Sequence, residues 1–247
     1  MDGNSRFHKS NTNTKLSPHS HLQHYKGAST TISLITHITQ SKRFDSLTHL
    51  TLFALSDENL TKRTPLELGG IRSVLQLKLS EILSQNNNNN KKSLLDEWSD
   101  CGVRVKFVGA REGSMGDFLG PDIIEQLDRV ESRVASHPTS RQSLTVNICL
   151  GYSGRSEILR AAKLLTEKKG DGKFTEEFED LLLLQKPFPD VLVRTGGEKR
   201  ISNFLLYQCA FSELFFIPAL WPEFTLDMLE VVVEEFHSRN RRYGGRP

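Results

Sequence analysis

The chain has 247 residues, 37% of them hydrophobic and 25% charged, with a formal net charge of +2 at pH 7. That suits one large α/β domain better than two small ones and is too apolar for a disordered chain. The near balance of charge is too mild to argue for nucleic acid, which usually needs a concentrated basic face, and no run reaches the roughly 18 apolar residues of a membrane span. Cys101, Cys149 and Cys209 are scattered, odd in number and without metal-type spacing, which fits a reducing compartment.

The opening "MDGNSRFHKS" is polar, with neither a secretory apolar region nor the Ser- and Arg-rich leader of a transit peptide, so the chain as written carries no address and is expected in the cytoplasm. Residues 8–23 read as loop, 27–40 as an amphipathic helix and "LTHLTLFALS" at 47–56 as a buried strand. Pro65 suits the first turn of a helix running to Ser84, weakened at Gly69 and Gly70 by ~1 kcal/mol each. "QNNNNNKKS" at 85–93 is low in complexity and reads as an inserted loop within a single domain.

Strands follow at 103–109 and 144–152, with a helix at 121–136 between them and another from Gly154 onward. "PDVLV" at 189–193 is a further strand, and "ISNFLLYQCAFSELFF" after it is apolar at helical spacing, so residues 194–200 read as a strand-to-helix connection. Strands alternating with helices imply an α/β fold with a parallel sheet covered on both faces.

In such a sheet the carboxyl ends of the strands gather where ligands bind. Here those ends are polar: "SDEN" at 56–59, "GYSGR" at 151–155 and "RTGGEKR" at 194–200, with "MDGNSR" at 1–6 of similar character. Gly196 and Gly197 allow a sharp turn and close backbone approach, and Arg194 and Arg200 are forked donors that match phosphate oxygens. A surface ion-pair cluster explains the two arginines about as well.

"MDGNSRF" at 1–7, "LSDENL" at 55–60, "GYSGRSEI" at 151–158 and the long block from "VRTGGEKRISNFLLYQCAFSELFF" through "WPEF" at 193–224 resemble, in order, the motifs of the cis-prenyltransferases, the undecaprenyl and dehydrodolichyl diphosphate synthase family. The resemblance implies condensation of isopentenyl diphosphate with an allylic diphosphate to give a Z-polyprenyl diphosphate. It also implies magnesium, an apolar tunnel between sheet and helices, and a homodimer. By the same resemblance Asp2 would be catalytic and hold magnesium with Glu213, while Gly3, Asn4, Ser5 and Arg6 would cradle the allylic diphosphate. Arg194, Arg200 and Ser202 would grip isopentenyl diphosphate, and His24 would stand near a diphosphate. Ser56 and Asn59 would lie near the condensing carbons, and Arg242 and Gly244 would reach a diphosphate across the dimer interface. Ile71, Leu75, Leu79 and Ile82 would line the tunnel, although ordinary core explains their spacing equally.

The chain departs from the family pattern in places. The family has an apolar strand immediately before its "MDGN", in the middle of the sheet, and no such strand is written here, so the expected domain lacks its first strand. Leu60 stands where an aromatic is usual, Asp57 where a small or neutral residue is, and Gly151 and Ser153 where the family has Asn and Gly. Ser20 occupies the place of an arginine, and the extra residue in "LTKRTP" leaves Lys62 and Arg63 both as candidates for another. The block at 193–204 resembles the bacterial and plastid branch and the asparagine run suggests a eukaryote, which together point to a plant enzyme of the chloroplast. The rival reading is a non-catalytic partner subunit, possible in a heteromer.

Overall fold

The computed structural model describes residues 4, 6–7, 22–84, 92–109, 111, 113–135, 144–167 and 174–240. In chain order its elements are α1 (Leu22–Gln40), β1 (His49–Ser56), α2 (Asp57–Lys62), α3 (Pro65–Leu83), α4 (Leu94–Asp100), β2 (Val103–Val108), α5 (Gly113–Ala135), β3 (Leu144–Tyr152), α6 (Gly154–Glu167), α7 (Phe174–Asp180), β4 (Val191–Arg194), β5 (Glu213–Phe216) and α8 (Leu226–Ser238).

Among the described residues all strand pairing is parallel, as expected, but it falls into two sheets, β1-β3-β2 and β4-β5. β3 is central and largely buried along its length, as a strand covered on both faces must be. β1 departs from the expectation of a buried strand: Ala54 is exposed and Leu50 and Phe53 are half-buried, because β1 borders a cavity. Its register against β3 shifts twice between Phe53 and Ser56, re-aiming the end of the strand that carries Ser56.

The long helix of the sequence reading is α3. Thr64 caps it, accepting from the Glu67 backbone N–H at 3.3 Å while the Glu67 carboxylate accepts from the Thr64 backbone N–H at 2.9 Å, and Pro65 fills the first turn. α3 packs against α1 and α5, and α5 packs against β2 and α4. The main core lies there, around Ile35, Leu95, Ile123, Leu127, Val130 and Val146.

Two stretches differ from the sequence reading. The helix expected at 121–136 begins earlier, at Gly113, and is broken at Gly120, whose φ of 73° followed by Pro121 interrupts the helical ladder. Residues 201–216 form no long helix. Ser202, Asn203 and Leu205 have φ values of 49°, 63° and 47°, which a right-handed helix forbids. The apolar run is divided instead between a short 3-10 turn at Gln208–Phe211 and β5, which pairs with β4. Residues 85–91 of the asparagine-rich loop lie outside the described residues, and Ser93 caps α4.

Candidate functional site

A cavity of about 1120 Å³ runs between the two sheets and under α1 and α3. Asn4, Arg6, His24, Ser56, Asn59, Arg63, Arg194, Arg200 and Ser202 line it, so segments far apart in the chain meet at one place. Beyond them its wall turns apolar, with Ile71, Val74, Leu75, Leu79 and Ile82 of α3 facing Leu34 and Ile35 of α1. The face of α3 singled out in the sequence thus borders an open channel, while Leu79 and Ile82 also belong to the core.

The polar residues are linked. The Asn59 side-chain amide donates to Ser56 Oγ, Arg63 Nε donates to Asn59 Oδ1 at 2.6 Å, and Arg63 Nη1 lies 3.3 Å from His24 Nε2. Of the two cations at 62–63, Arg63 lines this cavity with His24 and Lys62 does not. Burial pulls the Arg63 guanidinium down from its usual pKa, with Glu67 pulling the other way. A half-buried cation beside an imidazole, with the Glu67 carboxylate acting on both, leaves room for an anion. Asn4 Oδ1 is buried and has no hydrogen-bond partner among the described residues, although it packs so closely on Gly27 that a Cβ there would collide with it.

On the other side, Arg194 at the end of β4 donates through Nη1 to the Arg200 carbonyl and to Ser202 Oγ, the latter at 2.6 Å, which holds the 200–202 turn against the strand. Arg200 reaches Glu198 at 2.5 Å, so part of the plain ion-pair reading is realised there. Gly196 and Gly197 take φ values of 89° and 75°, as the expected sharp turn requires. Their N–H groups donate to the carbonyls of Ala219 and Ile217 at 2.8 and 3.0 Å, so the glycines shape the turn while side chains face the cavity.

Glu213 is not brought to this place. It opens β5, level with Val191, while Arg194 is level with Phe216, so it lies about three residues, ~10 Å, toward the opposite end of the sheet. Its carboxylate accepts from Arg239 Nη1 at 2.7 Å. Among the described residues no three His, Cys, Asp or Glu side chains are grouped to hold a metal. Asp2, Gly3, Ser5, Ser20, Arg242 and Gly244 lie outside the described residues.

Sequence reasoning missed Asn203. Its backbone φ is positive, its side-chain amide donates to Glu58 and, at 2.8 Å, to Ser153 Oγ, and its Oδ1 accepts from the Arg155 backbone N–H at 2.9 Å. Asn tolerates the left-handed region, and its place inside "RISNF" was the available signal. Among the described residues no helix is long and apolar enough to cross a membrane.

The Prenyltransf family model, that of undecaprenyl diphosphate synthase, matches residues 1–244. An isoprenyl transferase from Caulobacter vibrioides is 31% identical over 252 residues, covering 99% of this chain and 85% of the relative. A tritrans,polycis-undecaprenyl-diphosphate synthase (geranylgeranyl-diphosphate specific) from Pyrobaculum aerophilum is 38% identical over 212 residues, 84% of this chain and 81% of the relative. The fold is that of lavandulyl diphosphate synthase from Lavandula x intermedia, solved with dimethylallyl diphosphate, at a TM-score of 0.75 and 21% identity over 99% of this chain and 95% of that one. With a cavity whose polar end joins the motif arginines and whose wall is apolar, and with these matches along almost its whole length, the chain belongs to the undecaprenyl diphosphate synthase family of cis-prenyltransferases.

Proposed function

We propose that the protein condenses isopentenyl diphosphate with an allylic prenyl diphosphate, releasing inorganic diphosphate and a proton and lengthening the chain by one Z-configured unit. One observation carries the reading: a single cavity joins cationic and hydroxyl groups from both ends of the chain to an apolar channel under α3. A diphosphate ester needs the first and its hydrocarbon tail the second.

In this reading Arg6, Asn4, His24 and Arg63 face the allylic diphosphate, and Arg194, Arg200 and Ser202 face that of isopentenyl diphosphate. As the allylic C–O bond breaks, negative charge grows on the departing diphosphate, and fixed guanidinium groups stabilise it most in a half-buried site. The alkene of the second substrate forms the new C–C bond and then loses a proton close to Ser56 and Asn59. Those two side chains are already hydrogen-bonded to each other, which orients them. Magnesium would neutralise diphosphate oxygens, held chiefly by Asp2, since magnesium commonly takes one or two carboxylates and substrate phosphates. Glu213, set toward the other end of β5 from Arg194 and held by Arg239, would serve such a metal from across a homodimer interface. Arg242 and Gly244 would act across the same interface, and a plant plastid is the location that the 193–204 block suggests.

The test incubates the protein with magnesium, labelled isopentenyl diphosphate and allylic diphosphates of increasing length. Labelled polyprenyl product is expected, with kcat/KM lowered ~100-fold or more in Arg194→Ala and in Asp2→Ala. A second reading, a non-catalytic partner subunit, is favoured by the commitment of Glu213 to Arg239. Binding of substrates with no product from any of them would decide for it.

A further inference from the structure

A second cavity, of about 550 Å³, opens between α2, the first turn of α6 and the turn after Arg200. It shares Ser56, Asn59 and Ser202 with the long cavity, so it is a side chamber at the polar end. Its wall carries two cations that nothing above assigns: Lys62, the last residue of α2, and Arg155, the second residue of α6. Both are exposed, and neither forms an ion pair among the described residues.

The chamber is built rather than incidental. Its acid, Glu58, accepts from the Asn203 amide. Burial works against the ionised carboxyl, yet hydrogen bonds from its own backbone, Asn203 and Ser56, with Lys62 close by, hold its pKa below the usual range. Asn203 in turn is fixed by Ser153 Oγ and by the Arg155 and Gly154 backbone N–H groups. The wall at Ser202 and Asn203 is therefore held in a sparsely populated backbone conformation by contacts on three elements, the arrangement in which such strain persists. The Arg155 guanidinium and the Lys62 ammonium outnumber the single Glu58 carboxylate in this wall, and with two hydroxyls and two carboxamides beside them they match an anion with several oxygens.

We infer that this side chamber is a further anion subsite, taking a diphosphate group between Lys62 and Arg155. That the group is a diphosphate rests on the cis-prenyltransferase reading; it arrives either on isopentenyl diphosphate before it reaches Arg194 and Arg200, or as the inorganic diphosphate released.

The test titrates the full chain calorimetrically with inorganic diphosphate and repeats this with a Lys62→Ala/Arg155→Ala double variant, whose exposed substitutions leave the fold intact by circular dichroism. The wild-type isotherm is expected to need three sites per chain, the two of the long cavity and the chamber, and that of the variant two, or a third weakened about tenfold. A wild-type isotherm of two sites or fewer, or a variant within twofold of it at every site, overturns the inference. Steady-state kinetics then separate the two sources. A weaker product inhibition by inorganic diphosphate at constant KM assigns the chamber to the leaving group, and a raised KM for isopentenyl diphosphate assigns it to the incoming one. Should the wild type form no product, the functional reading falls while the titration still decides the subsite.

Discussion

Glu157 is 1% exposed at the start of α6 and accepts from the Tyr152 hydroxyl, the Gln208 side chain at 2.9 Å and the backbone N–H groups of Leu183 and Leu184 at 2.8 and 3.1 Å. It ties the end of β3 to the turn after α7 and to the 3-10 turn before β5. Burial, with Glu157 beside it, pushes the Tyr152 phenol far up, so the hydroxyl remains a donor throughout the ordinary pH range. Glu157→Ala leaves several buried donors without an acceptor, and a loss of about 3 kcal/mol or more is expected in denaturant unfolding. A loss under ~1 kcal/mol would show that the network is slack. The sequence quotes this residue inside "GYSGRSEI" without revealing its task, because a Glu four residues into a helix reads as solvated until the chain closes over it. Arg194 and Arg200 stood out because glycines and cations in one short stretch announce a turn, whereas the resemblance alone marked Ser202; all three line the long cavity. The different directions of Lys62 and Arg63 were not legible, since α2 ends at Lys62 and the extended backbone of Arg63 after it sends the two side chains to different cavities.

At the scale of elements, α4 illustrates a short helix fixed by its first turn. Ser93 Oγ donates to Asp96 Oδ2 at 2.6 Å and accepts from the Asp96 N–H at 3.2 Å, and Arg133 of α5 reaches both Asp96 oxygens at 2.7 and 2.9 Å. The Ser93 hydrogen bond above all, and Arg133 with it, outweigh burial and hold the Asp96 carboxyl below its usual pKa. A depressed folded-state pKa means stability that is present above the unfolded value, near pH 4, and lost as pH falls through the folded one. Asp96→Asn is expected to cost about 1–2 kcal/mol at pH 7, with the gap to wild type closing below pH 4. A gap constant from pH 7 to pH 2 would reject the assignment. This helix escaped the sequence reading because Leu94–Asp100 is too short to show a period. The stretch 201–216 misled for the opposite reason. Its apolar spacing imitates a helix, but Ser202, Asn203 and Leu205 adopt left-handed φ, and tertiary pairing of β5 with β4 overrides local pattern. β2, β3 and α3 were legible to within a residue, being long, strongly patterned and bounded by polar turns.

The whole molecule is marked by the division of a parallel sheet into two. Every residue from Ser46 to Ser56 and from Leu183 to Thr195 lines the long cavity. A cavity lying against the face of a strand meets alternate residues, since successive side chains point to opposite sides. One that meets them all runs along the strand's edge, and here the edges of β1 and β4 border the same space. Asn4 and Arg6 line it too, together with Ser56 and Arg194 at the carboxyl ends of β1 and β4. An extended, apolar segment laid parallel between β1 and β4 could hydrogen-bond to both and bury side chains on each face. A six-residue peptide of alternating β-branched and apolar residues, added in trans at about 100 times its Kd, is therefore expected to stabilise the protein by roughly 2–3 kcal/mol, raising Tm by ~5–10 °C for a chain of this size, and to reduce uptake of an apolar fluorescent dye. An unchanged Tm with undiminished dye binding would mean that the space belongs to the hydrocarbon channel alone. The expected outcome would join the two sheets into one and give Arg194 and Ser56 a common rigid base, the condition under which two diphosphates can be held at a fixed separation.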